Sequence, residues 1–182
     1  MPLKMRDKIT EVKMKKLLFT VLVLLSVVLL GQEARKDCSP SWCAYNDLRA
    51  ESMASRGDYS TLANINTRLE SAITEAKEAG SGAVYALELQ LANNLVRMEN
   101  WDEAIPHFQA AYDTAAKDKR EKIGIALWNA HASVADKLLR AKTDLATARE
   151  HYQWLKMNKA LVPWYDKVAE RIEFGMKMTR AK

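Results

Sequence analysis

The stretch "ENWDEAIPHFQAAY" (Glu99–Tyr112) decides the fold class, because its apolar residues recur with the period of an α-helix. The apolar positions are Trp101, Ala104, Ile105, Phe108, Ala111 and Tyr112. They lie on one stripe of a helix. Asn100 and Glu103 stand where a capping pair would begin that helix, and Pro106 would remove one backbone hydrogen bond from it. The stretch predicts an amphipathic helix with one buried face.

The preceding segment "VYALELQLANNLVRM" (Val84–Met98) has an apolar stripe of its own. Its members are Val84, Leu87, Leu91, Leu95 and Met98. Two amphipathic helices separated by a tight break form an αα-hairpin. We therefore expect Val84–Tyr112 to fold as one hairpin.

The turn motif of this hairpin recurs along the chain. "GDYSTL" (Gly57–Leu62) and "TDLATA" (Thr143–Ala148) resemble "ENWDEA" (Glu99–Ala104), at spacings of 42 and 44 residues. A helical pattern precedes and follows each turn, and repetition at a fixed period indicates a repeat architecture. The sequence predicts an all-α fold of three hairpins and a closing helix from about Val162 to Met178.

The middle unit resembles the tetratricopeptide repeat family. Residues at the spacing of the family's packing positions are Leu91, Ala92, Leu95, Trp101, Ala104, Phe108 and Ala111. The outer units keep fewer of them, namely Ala50, Gly57, Tyr59, Ala148 and Tyr152. Leu62 stands where the family has Ala, and a period in the forties exceeds the family's usual period of about 34. The resemblance implies a right-handed superhelix of about three hairpins with a C-terminal capping helix over residues 45–182, and a generic helical bundle is the alternative.

Residues 1–31 read as a targeting segment. A basic start precedes fifteen apolar or small residues, Leu17–Gly31. As a helix this run spans about 22 Å, which is short of the ~30 Å hydrocarbon core of a bilayer. Two interpretations stay open: a cleaved signal peptide, or a retained N-terminal membrane anchor. Both keep Lys15 and Lys16 in the cytoplasm and predict an exported body, either periplasmic or anchored to the inner membrane and facing the periplasm.

The linker, residues 32–44, holds the two cysteines of the chain, Cys38 and Cys43, in "CSPSWC". In an oxidising compartment we expect a local disulfide, with free thiols as the alternative. A zinc site would need two more ligands nearby, and a redox-active pair usually has C-x-x-C spacing. We predict neither.

Charge is divided along the chain. The net charge is +5, and residues 1–31 supply +4 of it with six basic and two acidic residues. Residues 32–115 hold 7 basic and 13 acidic residues, whereas residues 116–182 hold 15 and 8. The balanced body argues against a nucleic-acid partner. Its asymmetry can orient a partner or a second copy, or it reflects unequal solvated faces.

The sequence offers no catalytic pattern: it has no phosphate-binding glycine loop and no nucleophile elbow. We interpret His107, His131 and His151 as helix histidines, not ligands. Glu70, Glu75 and Glu78 are spread around one helix, which does not suit general acid–base work. Trp101, Trp128, Trp154 and Trp164 fit helical packing stripes. We expect no enzyme, no cofactor and no metal site.

The resemblance implies a binding surface instead. In related proteins the first helix of each hairpin lines a concave groove that holds peptides or partner segments. Polar residues on these helices are Arg49, Gln90, Asn93, Arg97 and Asn129. Asn93 falls where peptide-binding relatives carry an Asn that bonds the ligand backbone, although the basic residues of a carboxylate clamp are missing. The alternative is that these are ordinary solvated positions.

These observations predict an exported, non-enzymatic protein–protein interaction scaffold of a bacterial cell envelope, whose partner is another protein or peptide. Membrane contact is expected only through residues 17–31, if they are retained. One alternative is an accessory subunit of a membrane complex with a transmembrane anchor. Another is a periplasmic chaperone or carrier, for which Leu89 and Val96 would offer exposed apolar surface.

Overall fold

The computed structural model describes residues 38–180, which form seven α-helices, one short 3-10 helix and no strand. The α-helices are α1 (Pro40–Ala54), α2 (Tyr59–Glu78), α3 (Val84–Arg97), α4 (Trp101–Thr114), α5 (Lys117–Ala141), α6 (Leu145–Met157) and α7 (Tyr165–Arg180), and the 3-10 helix is Lys159–Leu161. The all-α prediction is confirmed. The leader of residues 1–31 lies outside the described residues. Within residues 38–180, no helix is long and apolar enough to cross a membrane.

The chain divides into two compact units, Met1–Cys43 and Ala44–Lys182. In the described part of the first unit, Cys38 and Cys43 form a disulfide, with their Cα atoms 5.8 Å apart. The backbone N–H of Cys43 donates to the carbonyl of Ser39 over 3.0 Å. The predicted disulfide is confirmed.

In the second unit, helices pack mainly against their neighbours in sequence. From α2 onward each helix contacts the next one, and α5 additionally contacts the 3-10 helix and α7. Helices α3 and α4, and likewise α5 and α6, approach each other closely, whereas α1 and α2 approach much less. Contacts between successive hairpins are the arrangement expected of helical repeats.

Burial follows the repeat found in the sequence. The second helices of the three hairpins begin at Tyr59, Trp101 and Leu145, which are 42 and 44 residues apart. Three positions further, Leu62, Ala104 and Ala148 are each 0% exposed. Seven positions from the start, Asn66, Phe108 and Tyr152 are 7%, 2% and 2% exposed. Equivalent positions are therefore buried to a similar degree, and the larger Leu62 occupies the hairpin whose helices approach least.

The turns before the second helices use left-handed backbone. Gly57 has φ 90°, and Glu99, at the equivalent position, has φ 62°. A side chain is unfavourable in this region, so Glu99 adopts a conformation that glycine takes without cost. The equivalent tight turn is thus formed with different residues.

The predicted capping pair at the start of α4 is wrong. Asn100 has φ −88° and ψ 62°, and its side chain makes no cap hydrogen bond. Asp58 and Asp144, at the starts of α2 and α6, do cap: their Oδ1 atoms accept from Ser60 and Thr147 backbone N–H groups, each over 3.1 Å. Helix α4 continues through Pro106.

The tryptophan prediction holds for Trp128 and is wrong for Trp164. Trp128 is 4% exposed and belongs to the core between α5, α6 and α7. Trp101 and Trp154 are partly buried. Trp164 is 37% exposed because it lies in the turn before α7, which begins one residue later at Tyr165.

Helix α7 approaches Tyr152 of α6 at a glycine. A Cβ atom placed on Gly175 would lie 2.5 Å from Tyr152 Cζ and 2.8 Å from its Oη. Real side chains do not come this close, and Tyr152 is 2% exposed and held in the core. Gly175 is therefore required where α7 docks.

We expect Gly175→Ala to destabilise the protein by about 1–3 kcal/mol, the usual cost of overpacking, measured by chemical denaturation. In a helix without this clash, Ala would stabilise relative to Gly by up to about 1 kcal/mol, so the sign of the effect is diagnostic. Gly82→Ala is the control, since nothing lies within 4 Å of a Cβ there. A stabilised Gly175→Ala variant would contradict the docking of α7.

Candidate functional site

The five candidate partner-binding residues divide into two groups. Arg49, Asn93 and Asn129 are exposed on α1, α3 and α5. Gln90 and Arg97, both on α3, instead reach the side chains of α1. The second group is thus hydrogen-bonded to α1, although Arg97 is also exposed.

Gln90 belongs to a polar cluster that joins the first three helices. We name it the Ser52 cluster; its members are Ser52, Asn66, Gln90, Asn94 and Arg97. Asn94 is central: its Oδ1 accepts from Ser52 Oγ over 2.5 Å, and its Nδ2 donates to Asn66 Oδ1 over 2.9 Å. Gln90 Nε2 donates to Ser52 Oγ over 3.1 Å and to Asn94 Oδ1 over 3.0 Å. Ser52 and Asn94 are 0% exposed, so these bonds replace water in the interior.

Arg97 closes the cluster from the C-terminal end of α3. Its Nη1 donates to the Ser52 carbonyl over 2.8 Å and to Ser52 Oγ over 3.0 Å. Its Nη2 donates to Ser55 Oγ over 3.3 Å. Hydrogen bonds from a charged group are stronger than neutral ones, so Arg97 positions the last turn of α1.

The sequence carried a signal for this cluster. Asn66 occupies the position that holds Phe108 and Tyr152 in the other hairpins, and Ser52 and Asn94 are themselves 42 residues apart. Polar residues at positions that are apolar in equivalent units indicate a buried hydrogen-bonded group. The signal appears only when the units are aligned position by position.

We expect Asn94→Ala to lower the free energy of unfolding by roughly 1–3 kcal/mol or more, because it leaves Ser52 and Asn66 buried without their partner. Asn93→Ala is the matched control: this neighbouring side chain is exposed, and its loss should change stability by no more than about 0.5 kcal/mol. Urea denaturation measures both. Equal effects would mean that Asn94 is not the centre of a buried cluster.

A buried carboxylate joins α2, α3 and α4. Glu88 is 2% exposed. Lys77 Nζ lies 2.8 Å from its Oε1, and His107 Nδ1 lies 2.7 Å from its Oε2. Burial raises the pKa of Glu88, but the hydrogen bonds from His107 and Lys77 outweigh it and leave the pKa below its usual value. His107 is thus a partly buried helix histidine with a carboxylate partner.

Two histidines meet between α5 and α6. The Nδ1 atoms of His131 and His151 are 2.7 Å apart, so one nitrogen donates and the other accepts. The His131 ring stacks on Trp154, with centroids 3.7 Å apart and planes inclined by 10°. His131 is 8% exposed. This pair was not foreseen, although His107 and His151 are 44 residues apart and each contacts a polar side chain on the preceding helix.

Burial sets the charge state of the pair. It lowers the pKa of His131 to about 4, with a further contribution from the charge of His151. It also lowers the pKa of His151, while Asp102 and Glu150 act in the opposite direction. The paired form is therefore the neutral one, and acid replaces its hydrogen bond with charge repulsion. Residues 38–180 contain no group of three or more His, Cys, Asp or Glu side chains able to hold a metal ion.

The histidine pair predicts a loss of stability in acid. The unfolded chain binds a proton at His131 near the ordinary pKa of 6.5, whereas the folded chain does so only near 4, so stability falls as the pH drops through this range. We expect His131→Phe, which keeps an aromatic ring against Trp154, to reduce this loss by up to about 3 kcal/mol. Thermal denaturation of both proteins over this pH range measures the difference, in which shared carboxylate titrations cancel. Parallel pH profiles would contradict the prediction.

A further polar contact joins α5, α6 and α7. Tyr152 Oη donates to Asp136 Oδ1 over 2.7 Å, and Arg171 pairs with the other oxygen of Asp136. Burial, together with the hydrogen bond to Asp136, raises the pKa of Tyr152 well above its usual value. Across residues 38–180, every buried side-chain nitrogen or oxygen has a hydrogen-bond partner. The buried polar groups of this region thus connect helices.

An open groove runs between α1 and α2. We call it the α1–α2 groove; it has a volume of about 280 Å³ and is lined by Ala44, Asp47, Leu48, Arg68, Ser71, Ala72 and Glu75. Arg68 forms a bidentate pair with Glu51, which lowers the pKa of that carboxyl. Leu48 and Ala72 are buried apolar residues of the groove. The groove therefore combines apolar and charged surface.

Comparison with known proteins adds no relative: no family model, no curated protein and no solved structure matches this chain.

Proposed function

We propose that this protein is an exported, non-enzymatic scaffold of a bacterial cell envelope that binds a partner protein or peptide on its first helices. The observation that carries the proposal is the repetition of buried positions at spacings of 42 and 44 residues, in helices that pack on their neighbours in sequence. Such repeats place their first helices in register along one surface. A surface of this kind serves binding.

The tetratricopeptide-like arrangement is part of this proposal. In a superhelix of that type, α1, α3 and α5 would line the concave side. Their exposed polar residues Arg49, Asn93 and Asn129 are the proposed partner contacts. Gln90 and Arg97 would support partner binding indirectly, because their hydrogen bonds to Ser52 hold α3 against α1.

Polar contacts between helices within residues 38–180 support a binding function. Glu88, the His131–His151 pair and the Ser52 cluster each connect two or three helices. Side chains that form such contacts stabilise the surface to which a partner would bind. Export rests on the apolar run Leu17–Gly31 and its basic flank.

Two alternatives differ in what they require. An accessory subunit of a membrane complex would keep residues 17–31 in the mature chain. A chaperone or carrier would need exposed apolar surface at Leu89 and Val96, but both are partly buried, and Leu89 packs beside Ala111 and Ile123. This packing favours a specific partner over unspecific clients.

The proposal is tested by photo-crosslinking in living cells. A photoreactive amino acid is introduced singly at Arg49, Asn93 or Asn129 of the full chain. We expect one defined protein adduct from these first-helix positions, since short-lived crosslinkers capture only adjacent molecules.

The matched controls are the second-helix residues Glu70, Glu103 and Gln153, which are also exposed. They should give no adduct. Adducts of equal strength from both sets would reject the first-helix surface, and many unrelated adducts would favour the chaperone. The mass of the mature chain in the same sample shows whether residues 17–31 are retained.

A further inference from the structure

Helix α7 carries apolar side chains on the side away from the core. Phe174 and Met178 are 60% and 49% exposed, and they lie one helical turn apart. The exposed Lys177 lies between them. We call these three residues the outer face of α7. Ile172 and Gly175 occupy the opposite, buried side of the helix.

Exposed large apolar residues are otherwise scattered. In the described range they are Met53, Tyr59, Met157 and Trp164. None of these shares a helical turn with another, whereas Phe174 and Met178 do. Paired apolar residues beside a charge mark a contact surface better than isolated ones.

The α1–α2 groove offers a complementary shape. Its volume of about 280 Å³ is near the lower end of the roughly 300–1,000 Å³ of small-molecule sites, so it suits one large side chain. Leu48 and Ala72 supply apolar surface, and Glu75 supplies a carboxylate on an exposed turn of α2. A phenylalanine with a lysine about one helical turn away matches this composition.

The division of charge along the chain favours one relative orientation of two copies. Residues 32–115 contain six more acidic than basic residues, and residues 116–182 contain seven more basic than acidic. Joining two C-terminal regions would bring basic surfaces together, whereas joining a C-terminal region to an N-terminal one pairs opposite charges. The charge division therefore favours contact between the C-terminal region of one copy and the N-terminal region of another.

We propose that copies of this chain associate head to tail, the outer face of α7 of one copy seating Phe174 in the α1–α2 groove of the next. Lys177 then lies beside Glu75 across the contact. The interface is heterologous, so a dimer still has one free face of each kind, and assembly continues until a ring closes or the chain ends. The groove's lining residues do not include Arg49, Asn93 or Asn129, so this proposal is tested on different side chains from the proposed partner contacts.

The test uses two variants that each block one face. Phe174→Asp removes the aromatic ring and would place a negative charge in a groove that Asp47 and Glu75 line. Ser71→Arg fills the groove and repels Lys177. Both sites are exposed, so the fold should persist, which circular dichroism checks. Met157→Asp and Thr74→Arg are the controls: Met157 is 76% exposed and lies outside α7, and Thr74 is exposed on α2 but does not line the groove.

Sedimentation velocity of the mature chain over a range of concentrations gives the readout. We expect mass-averaged size to rise with concentration, and to fall when salt is raised from about 0.01 M to about 1 M, which shortens the screening length from ~30 to ~3 Å. Each blocked variant should weaken association by at least about tenfold. An equimolar mixture of the two should form dimers and nothing larger, because each partner supplies one intact face.

Several results would overturn the proposal. A wild-type chain that stays monomeric at every concentration would do so, as would blocked variants that assemble like wild type. A mixture that remains monomeric would also reject it. A salt-independent dimer would indicate a twofold contact instead, and a different protein bound at Phe174 would assign the outer face of α7 to that protein.

Discussion

The close packing of the second helix against the first in the middle and third hairpins is the constraint on which this structure depends. It is set three residues into the second helix, where Ala104 and Ala148 are 0% exposed and allow close approach. Leu62 fills the equivalent place in the first hairpin, where α1 and α2 approach less closely and leave a groove. The small Ala side chain at this repeated position thus occurs in the two closely packed hairpins, and the larger Leu side chain occurs in the open one. The same repeat that builds the core also leaves its first hairpin open at the surface.

Polar contacts add specificity to this packing. Apolar faces alone tolerate sliding and rotation, but buried hydrogen bonds are satisfied in one arrangement only. The Ser52 cluster fixes α1 and α2 against α3, Glu88 ties α2 to α3 and α4, and Asp136 connects α5, α6 and α7. The His131–His151 pair joins α5 to α6 in the same way, with a contact that depends on pH. In the described region these ionisable groups therefore connect helices.

The sequence predicted the helices, their order and the repeat, because each depends on local periodicity and on turn residues. The sequence was less informative about side-chain contacts between helices. Gln90 and Arg97 were candidates for a groove because they are polar residues on a first helix, yet their contacts are to Ser52, which no spacing within α3 reveals. The histidine pair likewise requires two helices to be placed side by side. Trp164 was assigned to a helical stripe that begins one residue later. Aligning the three units by position recovers part of this information, since Asn66 then stands out against Phe108 and Tyr152.

We propose that this chain works by holding other proteins on a surface built from repeated hairpins. Native mass spectrometry of the mature chain, gently extracted from its own cells without reducing agent, would show whether it does. We expect an assembly of defined stoichiometry that contains a second protein species, with the chain's mass reduced by the two hydrogens lost in the Cys38–Cys43 disulfide. A chain that is recovered alone and monomeric, from cells in which it is abundant, would contradict the claim.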